Sequence, residues 1–233
     1  MMAEDMRHWT ARERPSAAVI EGRYVRLERL DAGQHAEGLF EASATAEAEQ
    51  KFRWLYEAPP TDRDSFRAWV EKVADSQDPL FYAVIDKASG QVAGRQTLMR
   101  IDAANGVIEI GNIYWGPRMA QRPAATEALY LFARHVFDDL GYRRFEWKCN
   151  DDNLPSKKAA ARFGFAAEGV FRQHLVVKGL NRDTAWFSII DKEWPALRRA
   201  YEGWLSPGNF DAEGRQKRRL EEFRAKFGAG AGA

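Results

Sequence analysis

The chain has one cysteine, four histidines and no long apolar run. A lone cysteine excludes an internal disulfide and leaves no metal-ligand spacing. Cys149 sits on the apolar side of an alternating segment, where a thiol packs as a small hydrophobe rather than acting as a nucleophile. No stretch approaches the length that crosses a bilayer, so no membrane association is expected. The opening residues, MMAEDMRHWTARERPS, lack the apolar centre of a secretory signal, and the expected compartment is the cytoplasm. Charge of one sign is also lacking: 35 basic and 34 acidic residues leave a formal net charge of +1. Without a global basic field there is no case for a nucleic-acid partner. A local group, Arg118, Arg122, Lys157, Lys158 and Arg162, could face phosphates or form an ordinary solvated face.

What is present suits one large domain, or a domain with a tail: 233 residues, 45% hydrophobic. Residues 1–18 read as an irregular arm with Trp9 as an anchor. Residues 19–205 form the domain, and 206–233 a charged extension. Within the domain, residues 23–30 alternate as a strand, 33–49 read as a helix, 52–60 as an aromatic link, and 62–76 as a capped helix. Residues 80–85, 92–101 and 107–115 read as antiparallel strands joined by turns at Ser89-Gly90 and Ala104-Asn105-Gly106. In the extension, 211–227 carries a sparse apolar stripe (Leu220, Phe223, Phe227). It predicts a surface helix or a dimer element, with disorder from Ala229 onward.

The richest stretch is Gly111 to Ala128, GNIYWGPRMAQRPAATEA. An apolar strand stops at Gly116-Pro117, and after a polar loop an amphipathic helix carries Leu129, Phe132, Ala133, Val136, Phe137 and Leu140 to Gly141. The first-turn N–H groups of a helix have no intrahelical partners and carry the positive end of its dipole. A strand, a small-residue turn and a helix N-terminus therefore make an anion site. Pro123 suits the first helical position, where a missing N–H matters least. Gly111 inside the strand signals a bulge or close packing.

A second motif follows. Residues 143–149 put Phe145, Trp147 and Cys149 on one face and Arg144, Glu146 and Lys148 on the other. Asn153 then caps a short helix with Pro155 in its first turn, and Gly164 ends it. A closing hairpin runs over 168–191 with its turn at Lys178-Gly179-Leu180-Asn181, and a helix starts at Glu193-Trp194-Pro195.

In this order the motifs resemble the GNAT superfamily of N-acetyltransferases, and the branch containing the ribosomal-protein N-terminal acetyltransferases. The resemblance covers residues 20–195. It implies an α/β (α+β) fold: a mixed, mostly antiparallel sheet with helices on both faces, whose fourth and fifth strands splay apart. It implies acetyl-CoA as cofactor, with pyrophosphate at Gln121, Arg122, Pro123, Ala124, Ala125 and Thr126. It places the pantetheine arm along Ile113, Tyr114 and Trp115, with Asn153, Ser156 and Lys157 close by. Two positions depart from the family pattern. Ala124 stands where the loop's first glycine is usual, and Ala160 where many members carry a tyrosine.

Acetyl transfer to an amine needs a neutral nucleophile, a donor for the growing oxyanion, and a proton for the leaving thiolate. Glu109, between Ile108 and Ile110 on the fourth strand, is the candidate base, directly or through water. A solvent-facing strand carboxylate is the plain alternative. Ser156 is the candidate acid, and helix capping is its plain alternative. Arg172, His174, Trp54 and Tyr56 are candidates for the acceptor pocket. The reading is an N-acetyltransferase working by direct attack in a ternary complex on a primary amine: a protein N-terminus, an amino acid or another small amine. Homodimerisation stays open. A non-catalytic acyl-CoA-binding sensor or assembly module is the alternative that Ala124 and Ala160 favour. An unrelated α/β binding protein is a third.

Overall fold

A computed structural model describes residues 5–120 and 122–228. Gln121 and the tail from Ala229 lie outside the described residues.

Eight strands form one sheet. In chain order they are β1 (Val19–Glu21), β2 (Val25–Arg29), β3 (Leu80–Asp86), β4 (Gln91–Asp102), β5 (Val107–Trp115), β6 (Arg144–Asn150), β7 (Ala166–Val177) and β8 (Leu180–Ile190). Their spatial order is β1-β2-β3-β4-β5-β6-β8-β7. Every neighbouring pair is antiparallel except β5 with β6. The helices are α1 (Ala32–Ser43), α2 (Ala48–Phe52), α3 (Arg63–Ala74), α4 (Pro123–Arg134), α5 (Leu154–Phe163), α6 (Trp194–Trp204) and α7 (Leu220–Lys226).

Strand alternation divides the core into two layers. On β3, Leu80, Tyr82 and Val84 join the cluster formed with α4 and α6. Phe81, Ala83 and Ile85 join a second cluster with Leu39 of α1 and Phe66 and Val70 of α3. Helices therefore cover both faces, and β3 is apolar throughout because both its faces are buried. Each large apolar side chain removed from water contributes about 1.5–3 kcal/mol.

Local chemistry explains most boundaries. Asp62 caps α3 by accepting from Ser65 N at 2.9 Å, and Gly164 ends α5 in the left-handed region at φ 93°. The long helix begins with Pro123 in its first turn and runs past Arg134 into a π-helical turn, His135–Asp139, before Gly141 reverses the chain at φ 66°. Trp9 anchors the arm: its indole N–H donates to Ala104 O at 2.8 Å, over the β4–β5 turn.

The structure departs from the sequence reading in two helices and adds one buried tie that the reading did not offer. The helix expected over 33–49 breaks into α1 and α2 at Ala44, whose backbone leaves the helical region. Glu127, on the long helix, is buried and accepts from the main-chain N–H groups of Arg23, Tyr24 and Val25, tying α4 to the β1–β2 turn. The helix expected over 211–227 exists only as α7. Asp211 accepts from the main chain of Glu213 and Arg215, and Gly214 turns at φ 78°, so residues 211–219 stay irregular. The stripe of Leu220, Phe223 and Phe227 packs into the main core, and Leu220 is fully buried.

Candidate active site

Strands β5 and β6 pair only from Val107↔Arg144 to Ile110↔Trp147. Beyond that point they part. The cause lies on β5, where the register against β4 slips between Thr97↔Gly111 and Arg95↔Tyr114. Asn112 occupies the extra position with φ 46°. Its neighbour Gly111 packs closely on Met99: a Cβ there would meet Met99 Sδ, and that flexible side chain would have to move. A bulge bends its strand and ends pairing, and the main chain from Gly111 to Trp115 borders a cavity of about 500 Å³.

One buried cation holds the bulge. Arg95 is fully buried and donates from Nη1 to Asn112 O at 2.8 Å and to the Asn112 side chain. Its Nη2 pairs with Glu57 of the aromatic link. Burial pushes the guanidinium pKa below its usual range, and these contacts keep the group paired. Sequence reasoning missed Arg95. Periodicity marks it only as a buried strand position, and its partners lie 17 and 38 residues away.

At the C-terminal end of β5 a 3-10 turn, Pro117–Met119, leads into α4. Among the described residues no side chain caps the N-terminus of α4, and Ala124 is buried there. The bare amides, with small side chains around them, suit a pyrophosphate. Thr126 Oγ1 accepts from Arg162 at 3.0 Å, which brings a second cation to the helix start. Arg118 and Arg122 are exposed beside it. Lys157 is placed differently from expectation: its Nζ is held by Asp151 Oδ1 at 2.7 Å, and it does not line the cavity.

Helix α5 forms the opposite wall. Asn153 Oδ1 accepts from Ser156 N at 3.2 Å, which is the expected cap. Ser156 also does more than cap, because its Oγ accepts the Trp147 indole N–H at 3.0 Å. With a lone pair used in this way, the hydroxyl hydrogen is left to donate elsewhere. Cys149 is buried and lines the same cavity. Burial pushes its thiol pKa up, against a hydrogen bond from Ser156. Ala160 is fully buried in the core, where a tyrosine would not fit without displacing its neighbours.

Glu109 faces the cavity and is nearly fully buried. It is not a solvent-facing strand residue. Its carboxylate accepts both Arg100 Nη1 at 2.8 Å and Lys148 Nζ at 2.9 Å. Lys148 also meets Glu146 at 2.7 Å, Glu146 meets Arg144 at 2.6 Å, and Arg144 reaches Glu168 on β7 at 2.5 Å. Charges thus alternate in a ladder whose members lie on four strands, β4, β5, β6 and β7. The polar face of β6 read from alternation is correct, but it is covered rather than open.

The aromatic link closes one side of the cavity. Trp54 and Tyr56 line the cavity. The tip of the β7–β8 hairpin reaches over: Lys178 Nζ donates to the main-chain oxygens of Phe52 and Glu57, both at 3.0 Å, and Arg182 Nη1 donates to Tyr56 Oη at 3.3 Å. Tyr114 points mainly toward α1 and α2, donating to Ala42 O at 3.0 Å and packing on Phe52. His174 bonds Thr184 Oγ1 at 3.0 Å on the exposed hairpin, and neither it nor Arg172 borders the cavity.

A gap in a mixed sheet, with a serine on the facing helix and a helix N-terminus following the bulged strand, offers donors to a phosphate-bearing ligand. Comparison with known sequences and structures narrows this. The acetyltransferase (GNAT) domain profile matches residues 25–166, and the chain belongs to the GNAT acetyltransferase family as an N-acetyltransferase. It is similar to a crystal structure of a GCN5-related N-acetyltransferase from Brucella melitensis: 63% identity, TM-score 0.92, covering 93% of this chain and 98% of that one. A chain from Chromobacterium violaceum described as a probable GNAT-family acetyltransferase is 36% identical, TM-score 0.77, covering 84% and 97%. The uncharacterized N-acetyltransferase p20 of Bacillus licheniformis is 30% identical over 61% of this chain and 81% of its own length. The family generally takes acetyl-CoA as donor. No helix among the described residues is long and apolar enough to cross a membrane.

Proposed function

We propose that this chain uses acetyl-CoA to acetylate a primary amine by direct attack in a ternary complex. The observation that carries this reading is the gap beyond Ile110 and Trp147, lined by Glu109, Cys149 and Ser156, from which β5 runs on into the turn that opens α4. The residues present fit the cofactor. The amides of Pro123–Thr126, less the proline's, suit its diphosphate, Arg122 adds charge at the mouth, and the β5 edge at Ile113–Trp115 suits its pantetheine amides. Bound acetyl-CoA supplies an acetyl group activated as a thioester.

The protein's own groups do the rest. An amine acceptor arrives largely protonated, since a lysine-type amine has a pKa of ~10.4. Glu109, directly or through water, takes the proton and leaves a neutral nucleophile. A β5 main-chain N–H in the gap stabilises charge growing on the acyl oxygen. Ser156, whose Oγ accepts from Trp147, turns its one hydroxyl hydrogen from Cys149 to the departing sulfur. Asn153 holds that serine by capping α5 and presents its free amide N–H groups to the gap. The acceptor enters between the link and the hairpin.

Mass-spectrometric screening of a broad amine and peptide library with acetyl-CoA tests the proposal. Acetylated product from at least one amine is expected. Tight acetyl-CoA binding with no product from any amine would favour an acyl-CoA sensor instead.

A further inference from the structure

Five charged side chains line the cavity: Lys51, Arg100, Lys148 and Arg182 against Glu109 alone. Arg100 and Lys148 share Glu109, and Lys148 also has Glu146. The other two cations have no carboxylate within ion-pair distance among the described residues. Lys51 Nζ lies 5.6 Å from the centre of the Tyr114 ring. Arg182 makes only a 3.3 Å hydrogen bond to Tyr56 Oη, and its Nε is buried with no partner. Arg100 is also within electrostatic reach of the Tyr56 phenol, and both guanidinium groups line the cavity with it.

That surplus is at odds with a simple cationic substrate. A protonated amine entering a low-dielectric cleft already rich in positive charge is repelled. A substrate that carries a carboxylate beside its amine is attracted as a whole, and the guanidinium fork of Arg182 is shaped for that group. Resting on the acetyltransferase reading, we infer that the acceptor is an amine bearing a nearby carboxylate, which Arg182 and Lys51 bind while Glu109 serves the amine. The carboxylate has two chemical sources: the α-carboxylate of a free amino acid, or an acidic side chain next to a peptide N-terminus.

Matched acceptor pairs test the inference. One arm compares alanine with alaninamide. The other compares C-terminally amidated tetrapeptides with glutamate or glutamine at the second residue. Rates are corrected to the neutral-amine fraction. The carboxylate member of at least one pair should show a kcat/KM about tenfold or more above its neutral partner, and the arm that does so identifies the source. In Arg182→Gln that ratio should fall toward one, with the acetyl-CoA Kd unchanged by calorimetry; Arg182→Lys should retain part of it. Lys51→Gln should lower the ratio independently, which keeps the test intact if Arg182→Gln fails to fold. Equal rates within both pairs would overturn the inference and leave the acetyltransferase reading standing. Acetyl-CoA binding with no amine acetylated would overturn both.

Discussion

Arg95 donates from Nη1 to the main-chain oxygen of Asn112 at 2.8 Å, across the β4–β5 ladder at the point where its register slips. The same guanidinium pairs with Glu57, whose own main-chain oxygen receives Lys178 from the hairpin tip. The bulge, the aromatic link and the hairpin, three parts of the cavity wall, therefore share one buried group.

Arg95→Met should destabilise the fold by about 2–4 kcal/mol, because it leaves the half-buried Glu57 and the main-chain oxygen of Asn112 without their donor. The acetyl-CoA KM should also rise as the bulge loses its tie. Urea unfolding and steady-state kinetics measure the two effects. A stability loss below about 1 kcal/mol would give the pair only the weight of a surface bridge.

Glu109→Gln should lower kcat by about a hundredfold or more, the usual contribution of a positioned base, and leave the acetyl-CoA Kd little changed. The solvent deuterium isotope effect on kcat should change with it. If kcat holds, Glu109 only anchors Arg100 and Lys148, and proton transfer belongs elsewhere.

Ala125→Asp separates binding from stability. An acidic residue in the first turn favours the helix by about 0.3–1 kcal/mol, so the melting temperature should hold or rise. The same charge opposes a diphosphate at the bare amides, and acetyl-CoA affinity should drop about tenfold or more. Retained affinity would place the diphosphate away from α4.

Cys149, the only cysteine, reports on the cavity. Burial raises its thiol pKa, with Ser156 opposing. The thiolate fraction at a given pH is therefore smaller than that of a free thiol, whose pKa is ~8.5. Alkylation by iodoacetamide should be slower than for a peptide thiol, with its rise displaced to higher pH, and acetyl-CoA should slow it further. Labelling at the free-thiol rate, unaffected by acetyl-CoA, would show that the cavity does not close around this strand.

The cap at Asn153, the stop at Gly164 and the Pro123 helix start were legible in the sequence because each rests on residues within one turn of the chain. Strand pattern revealed the two faces of β6 for the same reason. Glu127 beneath the β1–β2 turn was not legible, since its partners lie 102 to 104 residues away and an acidic residue on a helix ordinarily reads as solvated. The extension misled for a related reason: its stripe has helical spacing, but a turn at Asp211 and Gly214 breaks the helix before α7.

By itself the sequence determined most strands and helices of the domain, since periodicity and capping are local, and the resemblance it carries implied the fold. Only the tertiary structure decided that Glu109 sits between two cations, that Ser156 accepts the Trp147 indole N–H, and that Lys51 and Arg182 face the cavity without acids among the described residues. Those relations join residues on different elements, and the energy of a charge or hydrogen bond depends on the partner and the dielectric around it, which no single segment carries.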